Sequence, residues 1–223
     1  MKHLCPRLAA LALAMALTLP LALPAQAESK PGQDISLPAP RTEGGMPLMQ
    51  ALRNRRTSRE FNPRGLEPQV LSDLLWAAFG INRPESGRRT APSAKNWQEV
   101  DIYVVLEQGS FRYDPKASAL IWVASQDLRP LAGRQGFVTS APLNLVYVAD
   151  LMRATGEGSE DKLLLAAADV GFIAQNVYLF CASQGLGTVV RAGVDRPGLI
   201  QALGLRPEQR PILAQTVGYP PAK

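Results

Sequence analysis

The chain has 223 residues, 46% of them apolar, and a formal net charge of +5, which suits one domain with a substantial core and is too mild to argue for a nucleic-acid partner. Its only histidine, His3, and one of its two cysteines, Cys5, fall within the first 27 residues. Beyond them a Ser-His-Asp triad, a Cys-His pair, a histidine metal site and an internal disulfide are excluded, leaving carboxylates, hydroxyls, cations, backbone amides or a borrowed cofactor to carry any chemistry.

Residues 1–27 have the three parts of a secretory signal peptide: Lys2 and Arg7, an apolar run over residues 8–23, and Ala25-Gln26-Ala27 as a cleavage site before Glu28. A transmembrane anchor is the weaker alternative, because Pro20 and Pro24 would interrupt a spanning helix. Cleavage would leave 22 basic and 19 acidic residues, a net +3, no membrane span, and an exported, periplasmic protein. Residues 28–46 are rich in proline, glycine and charge and read as an extended arm. Residues 47–223 then form the folded domain.

The segment 47–52 (PLMQAL) predicts a short helix running into RNRRTSREF at 53–61. A second helix is expected over 67–79, with Val70, Leu71, Leu74, Leu75 and Ala78 on one face and Gly80 as its stop. Residues 82–98 read as a polar loop. Residues 101–107 (DIYVVLE) predict a buried strand, hairpin-paired with 110–114 across Gln108-Gly109. Residues 117–131 are compatible with a helix, and 143–149 (LNLVYVA) with a second central strand. Residues 160–184 form the longest helical stretch, apolar all round, as expected of a fully buried helix. Gly185-Leu186-Gly187 caps it; a strand (188–190), a short helix (197–203) and a last strand (210–217) follow. The order is that of an α+β protein built on a central mixed sheet flanked by helices.

Three stretches carry candidate chemistry. Arg55, Arg56, Thr57 and Arg59 follow a short helix, and guanidiniums with hydroxyl and backbone donors suit a phosphate monoester. The alternative is a solvated helix end, since cations favour a helix C-terminus. Ser93, Asn96 and Gln98 lie in a small-residue loop, where side-chain amides can meet carbonyl and imide edges of a flat ligand, or the loop is merely polar. Ala192 and Gly193 follow the glycine-rich stop, where the glycines alternatively mark only a turn.

In this order and spacing, RRTSREF (55–61), PSAKNWQ (92–98), GFIAQNVYLFCASQGLGT (171–188) and VGYP (217–220) resemble the FMN-dependent nitroreductase superfamily over residues 47–220. Within it, LLWAAFGIN (74–82), GRRTAPSA (87–94) and FRYDP (111–115) are most similar to SagB-type dehydrogenases, although PSAK and the histidine-free ASAL at 117–120 depart from that branch. The resemblance implies a nitroreductase-like fold and a homodimer with FMN at its interface and the long helix at its core. It implies that Arg55, Arg56, Thr57 and Arg59 hold the phosphate and ribityl chain, with Arg53 left as surface charge. Asn96, Ser93 and Gln98 would meet the isoalloxazine ring, Ala192 and Gly193 would offer N–H groups near flavin N5, and Lys223 alone could replace the C-terminal cation of many relatives.

The implied function is an exported oxidoreductase cycling FMN and FMNH2, transferring hydride or electrons at N5 to a small organic acceptor of the quinone or nitro class. Its electron donor is left open, because NAD(P)H is not expected outside the cytoplasm. Residues 109–137, with Trp122 and Phe137, are the candidate acceptor pocket. A non-catalytic exported flavin-binding or electron-transfer protein, or a relative without flavin, are the alternatives.

Overall fold

The computed structural model describes residues 32–221. Residues 1–27, where a signal peptide is expected, and Lys223 lie outside the described residues. Nine strands and five helices follow in order: β1 (Ile35–Ser36), α1 (Leu48–Asn54), α2 (Pro68–Phe79), β2 (Ile81–Arg83), β3 (Arg88–Arg89), β4 (Val100–Leu106), β5 (Gly109–Asp114), β6 (Ala119–Ala124), α3 (Phe137–Ser140), β7 (Leu143–Asp150), α4 (Ser159–Gln184), β8 (Gly187–Arg191), α5 (Arg196–Ala202) and β9 (Gln209–Gly218).

Seven strands make one sheet in the order β1-β6-β5-β4-β7-β9-β8, and β2 pairs with β3 in a separate hairpin. The α+β architecture is as expected, but every pairing in the sheet is antiparallel. β7 and β8, joined by the α4 crossover, are each antiparallel to β9, which lies between them. The long crossover sets them parallel to one another without making them neighbours.

The sheet is covered on both faces. Ile102, Val104, Leu145 and Tyr147 pack under α2 and α4, while Tyr103, Val105, Val146 and Val148 alternate onto the face covered by α5 and the loop before β7. Double coverage explains why β4 and β7 read as unbroken apolar runs.

Two segments also differ from their expected elements. Residues 117–131 are not helical: β6 occupies 119–124, held between β5 and β1, and a 3-10 turn follows at Arg129–Ala132. A short apolar run does not reveal its own period, and two strand partners decide it here. The expected polar loop at 82–98 carries the β2/β3 hairpin and a second 3-10 turn at Ala94–Asn96.

The arm also adds to the fold. Ile35 pairs with Leu120, Leu37 is buried, and Arg41 forms an ion pair with Asp73 on α2.

In the single chain α4 is only half covered. Asp169, Val170, Ile173, Val177 and Cys181 face the core, while Leu164 is 68% and Phe172 49% exposed. Glycine at 171 and alanines at 167 and 168 flatten that outer stripe. By length and composition α4 is apolar enough to cross a membrane. Its packed inner face, with Asp169 buried on it, is that of a core helix. Gly185 stops it at φ +69°, a left-handed conformation suited to glycine.

Candidate flavin site

After α1 the chain turns outward at Arg55 and runs extended beside the end of the sheet. The Ser58 N–H donates to the Thr188 carbonyl at 2.9 Å and the Asn62 N–H to the Tyr219 carbonyl at 2.8 Å. Glycine lies opposite this approach: a Cβ on Gly187 would lie 3.1 Å from Ser58 Oγ, and one on Gly218 3.3 Å from Phe61 Cδ1.

Tyr178 of α4 anchors the run from below. Its hydroxyl accepts from the Val190 N–H at 3.1 Å and lies 3.2 Å from Thr57 Oγ1, and the Arg55 guanidinium sits 5.3 Å from its ring centroid. Arg55 and Thr57, alternate residues of an extended run, thus meet one side chain, and the same alternation carries to Arg59.

A cavity of about 520 Å³ opens between Arg53, Arg55, Arg56 and Ser58 on one wall and Gly185 and Gly187 on the other. Among the described residues, Arg53, Arg55, Arg56 and Arg59 have no carboxylate at ion-pair distance, as holds for several other arginines such as Arg88 and Arg112; what sets this segment apart is four such cations within seven positions. Unpaired guanidiniums beside a close-approach backbone and a hydroxyl make an anion cradle. Arg53, expected as surface charge, is exposed and lines the same cavity, whereas the expected Thr57 and Arg59 lie outside its lining.

The Ser93–Gln98 loop lies further along α4. The Ala94 N–H donates to Asp169 Oδ2 at 2.8 Å, and Lys95, Asn96 and Gln98 take φ values of 49°, 56° and 49°. Such left-handed conformations are uncommon for residues with side chains and are held here by the loop's own hydrogen bonds. The Gln98 amide donates to the Gly87 carbonyl and to Asn96 Oδ1, both at 3.1 Å, and accepts from Arg89 Nε at 2.8 Å. Ser93 Oγ accepts the Gln98 N–H. Gln98 and Ser93 therefore shape the loop, and the exposed Asn96 keeps its amide N–H2 free among the described residues.

Beneath the loop, Glu99 and Asp169 are 0% and 3% exposed, and neither Glu99 carboxyl oxygen has a well-formed hydrogen bond among the described residues. Desolvation, aided by the neighbouring Asp169 carboxyl, pushes the Glu99 carboxyl up to about 7. Asp169 accepts the Ala94 N–H, and a proton on Glu99 supplies the donor that would join the two carboxyls.

Ala192 and Gly193 follow β8 and are exposed. Among the described residues neither N–H donates within the chain; the turn closes through the Val194 N–H to the Ala192 carbonyl at 3.0 Å. Phe137 joins this end to the arginine segment, its ring 5.8 Å from Phe61 and 5.8 Å from the Arg191 guanidinium. Trp122 lines a different cavity with Leu131, Gly198 and Gln201. Cys181, the one thiol among the described residues, is buried, and desolvation holds its pKa far above the ordinary thiol value.

The structure thus brings the arginine segment, Phe137 and β8 together. It leaves the Ser93–Gln98 loop at Asp169, nine residues or about 13 Å from Tyr178 along α4. Sequence reasoning missed Tyr178, Arg191 and Glu99. A charged residue ending an apolar strand was the available signal for Arg191; Tyr178 and Glu99 become visible only through partners distant in the chain.

A model of the Nitroreductase family matches residues 52–219. A nitroreductase-type protein of Methanocaldococcus jannaschii is 32% identical over 181 residues, covering 77% of this chain and 90% of its own. The crystal structure of a nitroreductase-type protein from Ralstonia eutropha is similar at a TM-score of 0.83 and 42% identity, over 90% of this chain and 96% of that one. Nitroreductase A of Vibrio parahaemolyticus shares the fold at a TM-score of 0.59 and 24% identity, over 78% of this chain and 67% of its own. Family members typically bind FMN and are usually dimers. The chain belongs to the nitroreductase family and is an oxidoreductase of the nitroreductase type.

Proposed function

We propose that this oxidoreductase is exported, binds FMN as a homodimer and delivers electrons to a small organic acceptor of the quinone or nitro class. The observation that carries the cofactor assignment is the cradle of guanidiniums without carboxylate partners, walled by glycine backbone. It suits a phosphate dianion and has no evident role in holding the fold together. FMN, when bound, supplies hydride or electron transfer.

The chain's residues supply the rest. Arg55, Arg56 and Arg59, joined by Arg53, balance the phosphate charge, and Thr57 is oriented by Tyr178. The free amide of Asn96 is a donor for a ring carbonyl, with Ser93 and Gln98 fixing its loop. The unused N–H groups of Ala192 and Gly193 are preset donors that need no reorganisation when charge arrives.

The outer stripe of α4 supports the dimer. Apolar side chains as exposed as Leu164 and Phe172, continued by Leu48 and Met49 of α1 at 62% and 76%, mark a surface that a second copy would cover. The stripe lies beside both the Asp169 loop and the Tyr178 segment, so pairing there sets both groups at one interface. Phe172→Asp is expected to convert the dimer to a monomer in sedimentation; an unchanged dimer places the interface elsewhere.

Absorbance of protein purified from the native compartment tests the main proposal, with one FMN per chain expected. The reduced protein is then expected to turn over a quinone or a nitroarene. Flavin without turnover of either overturns the acceptor class, and no flavin overturns the cofactor assignment. Recovery of residues 1–27 in the purified protein argues against export.

A further inference from the structure

Arg191 is a buried cation without a counter-ion. Its residue is 7% exposed, as is that of Arg129. Asp127 grips Arg129 through two oxygens, at 3.0 and 2.8 Å. Around Arg191 only neutral groups gather: Nη1 donates to the Ala132 carbonyl, and Nη2 to Asn144 Oδ1 at 2.7 Å and to Thr216 Oγ1. Nε is buried with no partner, and no carboxylate lies at ion-pair distance among the described residues.

The surroundings are built for this charge. A Cβ on Gly133 would fall 2.5 Å from Nη1, so glycine keeps the space open. Asn144 and Thr216 are fully buried, and the Phe137 ring supplies its negative face. A buried charge without a partner costs several kcal/mol, and an apolar side chain of similar length would fill the same volume without that cost. Burial lowers the guanidinium pKa to about 10, which leaves it charged at neutral pH. The charge therefore answers to a group outside the chain.

Its position indicates which. Arg191 immediately precedes Ala192 and Gly193 and lies over the Phe137 ring at 5.8 Å, and Phe137 in turn packs against Phe61 at the end of the arginine segment. We propose that Arg191 is a positioning residue in the electrostatic sense: a fixed positive charge that makes the protein bind reduced flavin more tightly than oxidised flavin. This rests on the FMN assignment above. Two-electron reduction with uptake of one proton adds one negative charge to the bound group, and a cation held in a low-dielectric setting favours that state.

The test compares wild type, Arg191→Gln and Arg191→Lys, each loaded with FMN and titrated anaerobically with dithionite against a reference dye. Arg191→Gln is expected to lose at least tenfold of the preference for reduced over oxidised flavin, equivalent to a midpoint potential about 30 mV lower. Arg191→Lys is expected to stay within threefold of wild type. Should Arg191→Gln fail to fold, Arg191→Met takes its place. Equal preference in wild type and the neutral variant, or equal losses in the neutral and Lys variants, overturns the inference while leaving FMN binding intact. A wild type that takes up no FMN overturns both.

Discussion

Exchanging Arg55 and Arg59 together for alanine is expected to weaken FMN binding about a thousandfold, taking about 2 kcal/mol for each charge-assisted phosphate contact. The fold is expected to survive. Arg55 is half-buried and Arg59 exposed, neither is in an ion pair, and the local path is held by backbone bonds from Ser58 and Asn62 that the substitutions do not touch. Among the described residues the side-chain polar contact removed is that of Arg55 over Tyr178, worth about 1 kcal/mol at a partly exposed site. Fluorescence titration with FMN, paired with a thermal melt of the apoprotein, separates the two effects. Arg88→Ala, at an exposed arginine of the β2/β3 hairpin, serves as a control with unchanged affinity. Stoichiometric FMN retained by the double variant would show that the phosphate lies elsewhere. Weakened binding that recovers in low salt would instead indicate a diffuse field rather than direct contacts.

The arginine segment was legible because its residue types and spacing are local, and α1, α2, β4, β7 and α4 because each carries its own period or β-branched run. What was not legible depends on partners distant in the chain. β6 is a strand because β5 and β1 flank it, and β1 itself is two residues of an arm that looked like linker. α4 read as buried all round because composition does not distinguish a core face from an exposed apolar face. Tyr178 looked like one more apolar residue of that helix until Val190 and Thr57 came to its hydroxyl. Gln98 was expected to face a ligand, yet Arg89, Gly87 and Asn96 take up its amide. Counting side-chain donors in the sequence therefore overstates how many remain free for a ligand. Similarly, Arg53 was set aside as surface charge, and only the closure of α1 against Gly185 and Gly187 shows it on the cavity wall.

The second large effect is expected at Glu99, where substitution should stabilise the protein above neutral pH. In the native state this carboxyl titrates at about 7 against an ordinary value of 4.5, chiefly through desolvation and then through Asp169. Asp150 and Asp101 hold the Arg153 guanidinium, so its opposing pull on Glu99 is shared. Between the two values the native chain holds a proton that the unfolded chain has released. Stability therefore falls as pH rises from about 4.5 to about 7 and changes little beyond, by about 3 kcal/mol in all. Below the lower value both states are protonated and the contribution is fully present. Glu99→Gln keeps a donor for Asp169 but does not ionise. Its stability is expected to match wild type near pH 4.5 and to exceed it by up to about 3 kcal/mol at pH 8, read as the difference between urea midpoints across that range. Asp169 stays in place to accept the Ala94 N–H, so the Ser93–Gln98 loop is expected to remain closed in the variant. In wild type at pH 8 two adjacent buried carboxylates push against that closure, and hydrogen exchange at the Ala94 amide is expected to rise relative to the variant. Denaturation curves that differ by the same amount at pH 4.5 and pH 8 would show that Glu99 is ionised throughout and that the loop is held without a shared proton.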